Sequence, residues 1–258
     1  MDGYWGTPTA TADFCEPNYA HTRYIAEFLN ALSSVPIALL GVVGLYHCAE
    51  QRLGAEQHIC YALIGIIGVG SVAFHTTLLR GPQVLDELPM LWVIVSFWYA
   101  LAQSHAHRTG KRFPLAARAA LLGYASASSV VYFTYGFEPF LVSYAGSIVV
   151  LVVMCVRTAL FGALRSTDQA RRLLLGAGFV YVGGFALLWV PGELFCASVP
   201  LPLADKLHAL FHLTSTAGPQ MLLTGLALSK HHGERRLRAE SHWRFGGLPA
   251  VVRGDKAV

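Results

Sequence analysis

GSVAFHTTLLRGPQVLDELPM, residues 70–90, is a polar joint between two apolar runs. Ser71, His75, Asp86 and Glu87 stand at the edges of segments otherwise dominated by Val, Ile, Leu, Phe and Gly. What lies on either side decides how the joint is read. Of the 258 residues, 54% are hydrophobic and 13% charged, and the mean hydropathy is +0.48. Soluble domains carry about 25% charged residues. The apolar residues come in blocks of roughly twenty, the helical length that crosses a hydrocarbon core of about 30 Å. Blocks at about 24–47, 58–79, 86–104, 114–134, 139–157, 172–195 and 206–229 predict seven spans. The fold class is therefore all-α: a polytopic membrane protein with a seven-transmembrane helix bundle. The runs are continuous rather than alternating, which speaks against a transmembrane β-barrel. Pro36, Gly65, Gly68 and Pro191 inside them are tolerable, because neighbouring helices can satisfy freed backbone groups.

Three regions follow. Residues 1–23 form a polar, turn-rich arm without the basic start and apolar centre of a signal peptide. Residues 24–229 form the membrane domain. Residues 230–258 are a basic tail expected to be partly disordered. Lys and Arg set the orientation. Arg52, Arg108, Lys111, Arg112, Arg157, Arg165, Arg171, Arg172 and seven more in the tail fall on one side. Only Arg23, Arg80 and Lys206 fall on the other, a ratio of fifteen to three. The C-terminus is thus expected in the cytosol and the N-terminus in the lumen. The net charge of +4 follows from this bias and gives no reason to invoke nucleic acid.

In this topology Ser71 and His75 lie in the outer third of span two, at i and i+4 on one helix face. Arg80-Gly81-Pro82 is read as the outer turn, and Asp86 and Glu87 as the start of span three. Span seven begins LADKLHALFH, so His208 and His212 enter at the same outer level, again four apart. That spacing lets one helix offer two imidazoles to one metal. His75 supplies a third, and three protein ligands with an open position are the pattern of catalytic zinc. Ionisable groups at membrane depth cost about 2.5–3.5 kcal/mol each on insertion scales, so they tend to mark function. The remaining histidines are scattered or lie in loops and tail.

A second polar set, Asp13, Glu16, Asn18 and Glu27, lies in the arm and at the mouth of span one. These hard oxygen donors suit Ca2+. Their spacing matches no EF-hand loop and fits a capped turn equally well. Cys15 and Cys196 fall in outer segments, while Cys48, Cys60 and Cys155 lie near cytosolic helix ends. With an oxidising lumen outside, Cys15 and Cys196 are the plausible disulfide partners.

At these residues the chain resembles the alkaline ceramidases, seven-helix membrane amidases of a superfamily that includes the adiponectin-type receptors. The likeness rests on GYWG at 3–6, DFCEPNY at 13–19, AEFLN at 26–30, GSVAFHTTL at 70–78, LDELPM at 85–90 and H-x-x-x-H at 208–212. It implies zinc on His75, His208 and His212, with Ser71 and Asp86 in the reaction centre. It also implies a Ca2+ site from Asp13, the Phe14 carbonyl, Glu16, Asn18 and Glu27. The family often has Trp at the positions of Phe14 and Phe211 and an acidic residue at that of Pro17. A carbonyl ligand survives the first change, whereas Pro17 is expected to stiffen the loop and alter calcium affinity.

The resemblance implies a ceramide-type lipid as substrate, in an endoplasmic reticulum or Golgi membrane. Its amide would be hydrolysed to a free fatty acid and a sphingoid base, with a zinc-activated water as nucleophile. Asp86 would be the general base and Ser71 an aid to the oxyanion. Glu87, about 100° further round the helix, is expected to be exposed and without a catalytic role. The alternative is a related seven-helix zinc hydrolase or lipid receptor acting on another lipid; the receptor branch is expected in the opposite orientation. A retinal protein would need a lysine buried in span seven, and Lys206 lies at its outer end. A transporter would place polar groups across the midplane. The sequence carries no signal for oligomeric state.

Overall fold

Helices form where the apolar blocks lie. The structure, a computed structural model, describes residues 3–161, 168–196, 203–230, 237–241 and 249–253. In chain order the helices are α1 (Phe28–Gln51), α2 (Ala55–Thr77), α3 (Arg80–Arg108), α4 (Leu115–Tyr135), α5 (Phe137–Phe161) and α6 (Asp168–Gly184). A π-helical turn, Phe185–Trp189, carries α6 into α7 (Val190–Leu194), and α8 spans Ala204–Lys230. The largest departure from expectation is the start of α3. Arg80-Gly81-Pro82 is its first turn rather than the loop, because a proline there removes no needed N–H. The loop shrinks to Leu78-Leu79, with Leu78 in the left-handed region (φ 51°) and its N–H on the Phe74 carbonyl at 2.7 Å. Between α4 and α5 the joint is Gly136 alone, at φ 85°.

Five of the seven expected spans are long and apolar enough to cross a membrane: α1, α2, α3, α5 and the continuous α6–α7. Two fall short in composition. α4 carries Arg118 and the run ASASS at 125–129, and α8 carries Asp205, Lys206, His208 and His212. The polarity of the molecule is that of a body in lipid. Leu32, Leu39, Val42, Val69 and Val142 point outward, while Ser34, Ser71, His75, Gln220 and Thr224 are buried. Some buried polar groups find partners inside the bundle, as where the Tyr61 hydroxyl donates to Gln220 Oε1 at 2.7 Å.

α1, α2, α3, α5, α6 and α8 close a ring in that order, and α4 packs outside against α3 and α5. α1 and α2 meet at Gly41 and Gly65, where a Cβ on Gly41 would collide with the Gly65 backbone. Ile64, Leu91, Ile94, Phe97, Leu151, Leu174, Leu222 and Leu223 fill the centre. One small departure from all-α lies in the tail, where β1 (Leu237–Ser241) pairs antiparallel with β2 (Pro249–Arg253), Ala239 opposite Val251. The rest of the tail, where partial disorder is expected, lies outside the described residues, as does Arg165.

Candidate active site

The start of α1, the end of α2, the start of α3 and the start of α8 meet at one end of the bundle. α2 and α3 approach closely at Gly70, where a Cβ would fall 2.5 Å from the Leu85 carbonyl and 2.7 Å from the Asp86 nitrogen. Pro89 offers no N–H to that carbonyl. This approach brings Ser71 and Asp86 to one cavity, where Ser71 Oγ also lies 3.0 Å from Ser34 Oγ. Ser71 and Asp86 are buried, at 1% and 8% exposure.

His75, His208 and His212 are brought together as the sequence expects. Their ring centroids lie 4.6–5.1 Å apart, and one nitrogen from each comes within 4.8 Å of the others. The protonation of two rings follows from their partners. His75 Nδ1 donates to Glu27 Oε2, which leaves Nε2 buried without a hydrogen-bond partner. His212 Nδ1 lies 2.8 Å from Ser33 Oγ and 3.2 Å from Ser34 Oγ. Both serine hydroxyls donate back to the Asn30 carbonyl, at 3.1 and 2.7 Å, so the imidazole is the donor and its Nε2 keeps a lone pair. On His208, Nδ1 is buried without a partner. An unpaired buried nitrogen is costly. Two of them, on His75 and His208, beside the His212 ring form a donor set that fits a metal bound by three neutral imidazoles.

The arm covers this cluster. The Phe14 ring lies 3.8 Å from the His208 ring and 5.2 Å from that of His75, centroid to centroid. The arm also caps two helices. Amides of Thr9 and Ala10 donate to the Leu78 carbonyl at 3.0 Å, Ala26 to Thr76 at 3.1 Å and Glu27 to His75 at 2.9 Å. These bonds occupy carbonyls at the end of α2 that have no partner within the helix. Glu16 accepts from the Leu29 and Asn30 amides at 2.7 and 2.9 Å, capping α1 from the arm.

Around it, Asn18 Nδ2 donates to Asp13 Oδ1 at 3.0 Å and the Phe14 amide to Glu27 Oε1 at 3.0 Å. Asn30 Nδ2 donates to Glu27 Oε2 at 3.1 Å. Burial raises the carboxyls of Asp13 and Glu16 above their ordinary values, against the pull of these hydrogen bonds, and the nearby Glu27 charge adds to it. Among the described residues no Lys or Arg forms an ion pair with them. The arm thus holds hard oxygen donors near one another. The gathering is looser than the histidine cluster, the group among the described residues whose three donors come within 4.8 Å. Glu16 is turned toward α1. Cys15 is bonded to Cys196, Cα to Cα 5.3 Å, and ties the arm to the segment after α7.

Glu87 departs from expectation. It is 4% exposed rather than solvated, because α3 begins at Arg80 and places it in the second turn. Tyr132 Oη donates to its Oε2 at 2.6 Å and Gln83 Nε2 to its Oε1 at 2.8 Å. Arg80 joins both partners, donating to Tyr132 Oη and Gln83 Oε1 at 3.0 Å each. Glu87 lines the same cavity of about 60 Å³ as Asp86, Ser71, His208 and His212, and Tyr144, Tyr181 and Trp189 supply apolar wall. Sequence reasoning also missed Asn30, Ser33, Ser34 and the ring of Phe14. A signal was there: Glu27, Asn30, Ser33 and Ser34 recur at helical spacing along one face of an apolar helix.

Comparison with known proteins bears on the same residues. A family model described as ceramidase matches residues 6–252. An alkaline ceramidase of Arabidopsis thaliana is 31% identical over 216 residues, covering 83% of this chain and 81% of that one. Alkaline ceramidase 3 of Mus musculus is 28% identical over 263 residues, covering 97% and 94%. Alkaline ceramidase 1 of Mus musculus is 26% identical over 231 residues, covering 87% and 82%. The family match takes in the arm, the joint between α2 and α3 and the histidines of α8 alike, and the chain belongs to the ceramidase family.

Proposed function

We propose that this protein hydrolyses the amide bond of ceramide-type lipids, releasing a fatty acid and a sphingoid base. The carrying observation is one cavity lined by Ser71, Asp86, His208 and His212 in a ceramidase-family chain, with the buried His75 ring against both histidines. His75, His208 and His212 would hold zinc. When bound, zinc supplies Lewis acidity and lowers the pKa of water from about 15.7 toward 7. Asp86 takes the proton of the attacking water as its oxygen bonds the amide carbon. It then returns that proton to the leaving nitrogen as the C–N bond breaks. The Ser71 hydroxyl donates to the oxyanion. Glu27, Ser33 and Ser34 hold the imidazoles in their tautomers. The aromatic wall excludes water and receives the hydrocarbon chains.

On this reading α4 and α8 complete seven spans. α8 closes the ring between α1 and α6, and α4 lies against α3 and α5. The fifteen-to-three distribution of Lys and Arg supports a lumenal N-terminus and a cytosolic C-terminus; placement in an endoplasmic reticulum or Golgi membrane rests on the family resemblance alone. Ca2+ on Asp13, the Phe14 carbonyl, Glu16, Asn18 and Glu27 would order the arm, with Glu27 reaching from that set to His75. A calcium-selective chelator is then expected to lower hydrolysis while zinc content stays constant. Loss of both metals together would count against separate roles.

The deciding experiment measures bound zinc and sphingoid-base release for wild type, His212→Ala and Asp86→Asn. His212→Ala should lose zinc and at least a hundredfold in activity. Asp86→Asn should keep its zinc and lose roughly 10²–10⁴-fold in kcat, the usual worth of a general base. Full activity in metal-free His212→Ala would overturn the mechanism. Normal zinc with no turnover of any ceramide would favour a related hydrolase or receptor for another lipid.

A further inference from the structure

At the end of the bundle opposite the histidines, the end of α3, the entry to α4 and the end of α5 border an open cavity of about 440 Å³. Lys111, Arg112 and Arg157 stand at its mouth, all exposed, while Leu101, Phe113 and Met154 line its apolar part. No Asp or Glu is among its described lining residues, and among the described residues none of the three cations pairs with a carboxylate. α4 begins at this cavity. Its N-cap is Pro114, whose side chain bonds none of the first-turn amides, so the positive end of a long helix adds to the field. Three unpaired cations around one concavity repel one another, and an anion between them relieves that repulsion.

We propose that this cavity binds the headgroup of an anionic phospholipid, with the phosphate among Lys111, Arg112 and Arg157 and the first methylenes against the apolar wall. Free phosphate shares the charge chemistry but leaves the apolar part of the cavity unfilled. On the orientation proposed above this end faces the cytosol, the leaflet in which anionic lipids concentrate. The occupant would clamp α4 to the ring, because Lys111 and Arg112 lie in the α3–α4 connection and Arg157 lies on α5.

The test is native mass spectrometry of the full chain in detergent, titrated with phosphatidylserine and phosphatidylcholine. Wild type is expected to retain one phosphatidylserine with a preference of tenfold or more. A basic residue at an anionic surface is worth about fivefold in affinity, so Arg112→Gln/Arg157→Gln should weaken retention roughly 25-fold. Lys111→Glu, an exposed single change, should act in the same direction. Arg118→Gln, on α4 with its guanidinium 5.9 Å from the Tyr99 ring, lies outside the cavity and should leave retention unchanged. Equal retention of the two lipids, or unchanged retention in the double variant and in Lys111→Glu, would overturn the proposal. Displacement by inorganic phosphate with no preference between lipids would reassign the cavity to free phosphate and overturn it too. Binding is read directly, so failure of ceramide hydrolysis leaves this result untouched.

Discussion

His212 illustrates how much of this site is held by residues with no chemistry of their own. Its Nδ1 is fixed by Ser33 and Ser34, whose protons go to the Asn30 carbonyl. His75 is fixed by Glu27. Groups that orient an imidazole ligand are usually worth 10–100-fold in metal affinity. Ser33→Ala/Ser34→Ala is therefore expected to weaken zinc binding by about that factor, read by titration with a competing chelator. An unchanged affinity would mean that packing alone orients the ring. The histidines were legible because i, i+4 spacing is a local property of one helix. Their serine partners sit 178 and 179 residues away, and no local spacing reports that distance closed.

At the scale of elements, the α2–α3 contact sets the distance between Ser71 and Asp86. Gly70→Ala would place a methyl against the Leu85 backbone, an overpacking that costs about 1–3 kcal/mol. It is expected to lower the melting temperature in detergent and to reduce hydrolysis, because Asp86 is carried away from Ser71. Gly81→Ala, whose Cβ would meet nothing within 4 Å, is the control and should leave both unchanged. The same element shows where sequence reading went astray. Gly81-Pro82 suits both a turn and a helix N-terminus, and hydropathy cannot separate the two when the first turn is polar. Moving the start of α3 from 86 to 80 turned Glu87 from an exposed side chain into a buried one bonded to Tyr132 and Gln83.

Across the whole molecule, the arm is joined to the bundle by backbone bonds to the end of α2, by Glu16 at α1 and by the Cys15–Cys196 bridge. The bridge spans 181 residues, and a native disulfide is typically worth about 2–4 kcal/mol. Cys15→Ser/Cys196→Ser should lose about that much, seen as a lower melting temperature and faster proteolysis of the arm under oxidising conditions. An unchanged melting temperature would assign the arm's anchorage to its hydrogen bonds.

The sequence by itself determined the helical blocks and the pairing of His208 with His212, because chain length per turn and hydropathy act within one segment. Tertiary structure alone decided that Glu16 caps α1, that the Phe14 ring lies tilted against His208 and that Glu87 lies in the cavity with Asp86. Those contacts depend on how helices approach one another. A helix surface in lipid carries no hydrophobic signal that names its neighbour, since lipid and protein interior are equally apolar.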